Sequence, residues 1–137
     1  IGDEAAKIAK HAMRLAEENV SPTNYIEIRH IGSHVASILR KALDAFARLD
    51  LELAVEVVKE DNDVDKEYGS AMRSLVTFMM EDPRDIGAIL NEIWALRSLE
   101  RIGDHAANIA EHVVYLVRGL DVRHQSLEDL IEQVGDV

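Results

Sequence analysis

Two short acidic motifs carry the residues best suited to chemistry: Asp61-Asn62-Asp63-Val64-Asp65 and Glu100-Arg101-Ile102-Gly103-Asp104. On a helix, positions i and i+4 share a face one turn apart, so each motif sets two carboxylates side by side. Such like-charged neighbours repel by roughly 0.2–0.5 kcal/mol per pair unless a cation relieves them. Either motif alone is weak, because acidic helices contain such pairs by accident. Their registration says more. If the two helices form an antiparallel hairpin about Asp82-Pro83, residues equidistant from that turn lie at equal height. Asp61 then stands opposite Asp104, and Asp65 opposite Glu100. Ile86, Ile89 and Ile93 occupy the angular sector that Glu100, Asp104 and Glu111 take up further along the same helix, so an apolar stripe becomes acidic. Four or more hard oxygen ligands from two helices suit divalent or ferric ions. A solvated acidic face is the competing reading, and spacing alone does not choose between them.

The histidines extend the set. By the same reckoning of height, His34 on the preceding helix lies roughly level with Asp65 and could add an imidazole ligand, with His30 one turn away. His105 and His112 are expected at the surface, away from the acidic stripe, and His11 and His124 fit no pattern. There is no H-E-x-x-H, phosphate-binding glycine loop or nucleophile elbow. Ser33, Ser37, Ser70, Ser74 and Ser98 fall inside helical stretches without a triad-like setting. A di-metal enzyme of the ferritin-like sort needs Glu-x-x-His pairs, and Glu100-Arg101-Ile102-Gly103 has Gly where His is required. A non-enzymatic protein is the expectation.

The elements that must position these groups are helices. Only 2 prolines and 7 glycines interrupt the chain, and the stretches between them repeat at helical period. A first helix is expected over residues 1–19, with Ile1, Ala5, Ile8, Ala12 and Leu15 on one face, ending before Ser21-Pro22-Thr23. Thr23 or Asn24 is the expected N-cap of a second helix, with Ile28, Ile31, Val35, Ile38, Leu39, Ala42 and Phe46 along its apolar face. A tight turn at Leu49-Asp50, lacking Gly or Pro, leads to a third helix over Leu51–Met80, with Leu53, Val57, Val64, Tyr68, Leu75 and Phe78 inward. Asp82 and Pro83 start a fourth helix that runs to Arg118 and stops at Gly119. A loop over Asp121–His124 precedes a short last helix carrying Leu127, Leu130, Ile131 and Val134. With almost no strand signal and short connections, the fold class is all-α, an antiparallel three-helix bundle plus one extra helix.

Composition narrows the partners. Fifteen Lys+Arg against 26 Asp+Glu leave a formal charge of −11, which disfavours nucleic acid and anionic lipid surfaces, since both are bound mainly through basic residues. The chain has no Cys, hence no disulfide framework, thiolate site or cysteine nucleophile. A 47% hydrophobic content fits a folded chain, yet no apolar run approaches the ~20 residues of a membrane-spanning helix.

The chain also repeats itself. Residues 1–12, IGDEAAKIAKHA, match 102–113, IGDHAANIAEHV, at 8 of 12 positions. Gly and Asp are poor helix-interior residues, so a shared Ile-Gly-Asp points to two related modules rather than to chance among Ala-rich helices. On this reading residues 1–20 are the terminal helix of a preceding module that is otherwise missing, 21–120 form one complete three-helix module, and 121–137 are a C-terminal loop and short helix.

These residues resemble the PhoU family. The likeness is carried by Met79-Met80-Glu81-Asp82-Pro83-Arg84 and by the run from Ala95-Leu96-Arg97-Ser98-Leu99-Glu100 through Gly103-Asp104-His105-Ala106-Ala107-Asn108 to Glu111. Ala45-Phe46 with Asp50, the Asp61–Asp65 motif, Tyr115-Leu116-Val117-Arg118-Gly119 and Asp121-Val122-Arg123-His124 add to it. The resemblance implies two three-helix bundles in tandem and a cytoplasmic regulator, peripheral to the inner membrane through its partners, that damps phosphate uptake and phosphate-starvation signalling. The implied partners are a Pst-type phosphate ABC transporter and a PhoR-type sensor kinase. It also implies bound metal, as Fe, Zn, Mn or Mg, held by Asp61, Asp65, Glu100 and Asp104, with Asn108, Glu111, His34 and Asp3 as secondary candidates. Asp3 would be an orphan, because the first acidic position of its own motif lies before Ile1. A metal-independent helical adaptor that binds basic partner surfaces is the alternative, and a homodimer through the uncovered first helix is a further expectation.

Overall fold

A computed structural model describes residues 1–17, 26–119 and 126–135. They form α1 (Gly2–Glu17), α2 (Ile26–Arg48), α3 (Leu51–Glu81), α4 (Ile86–Arg118) and α5 (Leu127–Gly135), with no strand among the described residues. The expected break at Ser21-Pro22, the caps Thr23 and Asn24, and the loop Asp121–His124 lie outside the described residues, as does the side chain of Leu15.

The bundle of α2, α3 and α4 is held by an interior of mainly branched aliphatics and alanines. Ile31, Val35 and Ile38 of α2, Val57 and Val64 of α3, and Leu96, Val113 and Val114 of α4 are almost wholly enclosed. Burying a side chain of this size contributes about 1.5–3 kcal/mol. Alanines at 42, 45, 54, 106 and 110 have no exposed surface and let the helix axes approach closely. Two expected core residues sit elsewhere: Phe46 and Phe78 are about half exposed, and Ala45, one position from Phe46, takes the interior place on α2. The three-helix contact is narrow enough to prefer a methyl group to a ring.

Each connection has a local cause. At the α2–α3 turn, Leu49 adopts a left-handed φ of 54°, and the Asp50 N–H donates to the Ala45 carbonyl at 3.0 Å. The Asp50 carboxylate then accepts from the Leu53 N–H at 3.0 Å, capping α3. Asp82 accepts from the Arg84 N–H at 3.1 Å, and Pro83–Asp85 form a 3₁₀ turn. Helix α4 therefore starts at Ile86 rather than at Pro83. Gly119 ends it with φ 69°, its N–H donating to the Tyr115 carbonyl at 2.8 Å. Gly69 leaves α3 unbroken.

Helix α1 docks mainly through polar residues and leaves most of its apolar face uncovered. It packs against α4 alone, with Ile1, Ala5 and Ala12 exposed and Ile8 half-buried. Its buried residue is Glu4, which meets Arg101 Nε at 3.1 Å and accepts from Lys7 Nζ at 3.2 Å. One face further along, His11 Nδ1 pairs with Asn91 Oδ1 at 3.1 Å. Helix α1 thus runs antiparallel to α4. The stretch of α4 it meets offers Asn91, Ser98 and Arg101, so the face carrying Glu4, Ile8 and His11 docks instead of the alanine face.

Candidate metal centre

The antiparallel hairpin of α3 and α4 brings the two acidic motifs together at the expected height. Carboxylate oxygens of Asp61, Asp65 and Asp104 lie within 4.8 Å of one another, the one such group of three or more metal-ligating side chains among the described residues. Asp61 is buried at 8% exposure, and Asp65 is exposed. Room for Asp61 comes from Gly103: a Cβ at that position would lie 2.8 Å from Asp61 Oδ1. That oxygen is buried and accepts no hydrogen bond.

The electrostatics follow from this crowding. Burial, followed by the charges of Asp65, Asp104, Glu100 and Glu111, pushes the Asp61 carboxyl up to about 7. Every charged neighbour that shifts Asp61 is another carboxylate. Burial and Asp104 raise Asp65. Burial raises Glu100 first, then Asp104 and Asp65 add to it, while Arg97 opposes. Asp104 is raised by burial, against a hydrogen bond from Glu100 and the charges of His105 and Arg101. Glu100 therefore leans on Asp104 through a carboxyl–carboxyl hydrogen bond and is not one of the close trio.

The secondary candidates divide. Glu111 is near enough for its charge to act on Asp61. Asn108 and His105 line a cavity of about 230 Å³ with Glu100 and Asp104, so His105 borders the acidic patch instead of pointing away from it, whereas His112 is exposed. Asp3 is exposed on α1 and brings no atom to the cluster. His34 has the right height but the wrong side. Its Nδ1 lies 3.1 Å from Glu67 Oε1 and its Nε2 3.5 Å from Glu60 Oε2, on the flank of α3 that meets α2. Glu4 and Glu92 are buried carboxylates that spacing did not single out: neither belongs to an acidic i, i+4 pair with Asp or Glu ahead of it on the cluster face.

The donor set fits a cation. A buried, unpaired carboxylate oxygen beside two more carboxylates from facing helices is an all-oxygen site of the kind hard ions take. Asp61, Asp65 and Asp104 would hold the ion, with Glu100 one hydrogen bond away.

Comparison with known proteins places the chain. The PhoU domain matches residues 28–113. The chain is 61% identical over 134 residues to the phosphate-specific transport system accessory protein PhoU homolog of Pseudomonas aeruginosa, covering 98% of this chain and 55% of that protein. It is 41% identical over 130 residues to the phosphate-specific transport system accessory protein PhoU of Escherichia coli K12, covering 95% and 54% respectively. The crystal structure of PhoU from Pseudomonas aeruginosa superposes with a TM-score of 0.84 at 62% identity, over 87% of this chain and 57% of that one. The chain thus spans about half the length of the curated relatives it matches. No described helix is long and apolar enough to cross a membrane.

Proposed function

Because the chain belongs to the PhoU family, we propose that it serves as a non-catalytic, metal-binding module that regulates phosphate uptake. The relatives are named as accessory proteins of the phosphate-specific transport system, which supports a Pst-type transporter as the partner. Damping of that transporter and of a PhoR-type sensor kinase, from the cytoplasmic side of the inner membrane, completes the reading. The internal Ile-Gly-Asp repeat supports 21–120 as one whole module and 1–20 as the last helix of another.

One observation carries the metal part: Asp61 is buried with an unpaired oxygen, and the charges that act on it are all negative. A bound cation would neutralise that charge and join α3 to α4. The chain's own residues supply the rest. Gly103 leaves the space into which Asp61 points, Glu100 steadies Asp104, and the Asp82–Arg84 contacts fix the turn that sets the register. Ion binding to the folded form alone stabilises it by about 2.7 kcal/mol at a hundredfold excess over Kd.

The test is thermal unfolding with and without Mn²⁺, a hard ion suited to oxygen ligands. Mn²⁺ should raise Tm of the wild-type chain and leave Tm of Asp65→Asn/Asp104→Asn unmoved. An equal shift in both would refute the assignment. Absence of metal by mass spectrometry after reconstitution would favour the metal-free adaptor.

A further inference from the structure

We propose that the open face of the α3–α4 hairpin is a docking groove for an amphipathic helix of a partner protein. That helix would carry apolar residues along one half of its contact stripe and Lys or Arg along the other.

Two rows of side chains line the groove. On α3, Asp65, Met72, Val76 and Met80 recur at helical spacing, and on α4 so do Ile86, Leu90, Arg97, Glu100 and Asp104, so each row follows one side of its helix. The antiparallel register sets Val76 near the height of Leu90 and Asp65 at that of Glu100. The two halves differ in chemistry. Toward the Asp82-Pro83 turn, Val76, Met80, Ile86, Leu90 and Trp94 are between 37% and 80% exposed. Met72 and Ile93 are half-buried among them and continue the patch inward. Beyond Arg97 stand Asp65, Glu100 and Asp104, with the buried Asp61 behind them.

Both halves call for a partner. Contiguous exposed apolar patches on soluble proteins mark interaction sites, and tryptophan is enriched where such contacts are strongest. The acidic half keeps an excess of negative charge. Arg101 is held by Glu4 at 3.1 Å, which leaves Arg97 and His105 against Asp61, Asp65, Glu100 and Asp104. The Oδ1 of Asp61 accepts no hydrogen bond.

Charge and shape select the occupant. A shallow trough between two antiparallel helices takes a third helix by packing its ridges into their grooves. From Ile86 to Asp104 the trough runs about 27 Å, the length of a helix of about 18 residues. Leu, Ile or Met on such a helix would cover the apolar half, and Lys or Arg would meet the carboxylates and fix its direction. An anionic lipid surface would be repelled by the acidic half, and a formal charge of −11 on each chain opposes a second copy.

The chain has a single tryptophan, Trp94, and it lies in the apolar half, so its emission reports docking. The probe is a synthetic helix of 18 residues with leucines along one half of a stripe and lysines along the other. It is titrated in EDTA, so that the outcome does not depend on whether the carboxylate trio takes a cation. Trp94 emission should shift to the blue, and the same peptide with Lys→Glu should bind at least tenfold more weakly. Leu90→Ser should weaken binding of the lysine peptide at least fivefold. Leu43→Ser, at an exposed leucine of α2, should bind it as the wild type does. Both leucines are exposed, so neither change threatens the core. No blue shift, equal affinity for the two peptides, or equal weakening by the two serine variants would overturn the groove. So would a blue shift on concentrating the protein alone, which would assign the patch to a second copy. A shift with phosphatidylglycerol vesicles but not with the peptide would assign it to a lipid surface and overturn the proposal as well.

Discussion

The carboxylate of Asp61 occupies the space that a side chain at residue 103 would need: a Cβ on Gly103 would stand 2.8 Å from Asp61 Oδ1, 3.7 Å from Ile38 Cδ1 and 3.8 Å from Val64 Cγ1. Gly103 costs α4 about 1 kcal/mol of helix propensity relative to Ala, so it is kept for room and not for helicity. Gly103→Ala should push Asp61 out of register with Asp65 and Asp104. Overpacking of this kind costs about 1–3 kcal/mol, offset in part by the gain in propensity. The expected result is Mn²⁺ affinity reduced about tenfold or more, with a smaller change in metal-free stability. Titration calorimetry alongside urea unfolding separates the two effects.

Asp61 also makes metal-free stability depend on pH. Its carboxyl ordinarily titrates near 3.8 and is pushed up to about 7 in the fold. At low pH it is protonated in both folded and unfolded chains and costs nothing. As pH rises through this window, the unfolded chain releases its proton first, so stability falls and the full cost is present above about pH 7. That cost is on the order of 4 kcal/mol. Asp61→Asn should therefore stabilise the metal-free protein at pH 8 and change little at pH 4. Saturating Mn²⁺ should reverse the order, leaving the wild type the more stable at pH 8. Urea unfolding at both pH values, with and without the ion, reads all four cases.

Glu92 gives the same slope without the metal response. It is 1% exposed, neither carboxylate oxygen accepts a hydrogen bond, and burial followed by the charge of Glu27 pushes it up to about 7. Its penalty is likewise absent at low pH and complete above about pH 7. Glu92→Gln removes the charge but leaves a buried amide to be satisfied, so the net gain at pH 8 should be about 1–2 kcal/mol. That gain should persist whether or not Mn²⁺ is present. A gain that vanished on adding Mn²⁺ would place Glu92 within the cation's electrostatic reach.

The contrast between these carboxylates shows what the sequence makes legible. Helical rise and a well-marked turn at Asp82-Pro83 fix height, so Asp61 was readable as the neighbour of Asp104, and the family motif pointed to the same residues. Rotation about each helix axis is set by packing, which spacing does not report. Glu100 therefore turned out to lean on Asp104 and to stand outside the trio. His34 likewise came to the right height and faced Glu60 and Glu67, because α2 and α4 lie on different flanks of α3. Glu4 was illegible for another reason. Its burial depends on Arg101 and Ser98, and hydrophobic spacing does not register a face that docks through polar groups.

Leu49 offers a prediction about the turn itself. It holds a left-handed φ of 54°, which crowds a Cβ against the following carbonyl and costs about 1–2 kcal/mol. The conformation persists because the Asp50 N–H reaches the Ala45 carbonyl and the Asp50 side chain caps α3, two bonds that require the chain to reverse at this residue. The Leu49 side chain is half exposed and recovers little of the cost through packing. Leu49→Gly should relieve the strain while raising the conformational entropy of the unfolded chain, which offsets part of the gain. A net gain of about 0.5–1 kcal/mol follows, or roughly 2–5 °C in Tm for a domain of this size. Leu49→Asn, which tolerates the left-handed region less well than Gly, should fall between the two. A lower Tm for Leu49→Gly would mean that the leucine packs on the bundle strongly enough to outweigh its backbone strain.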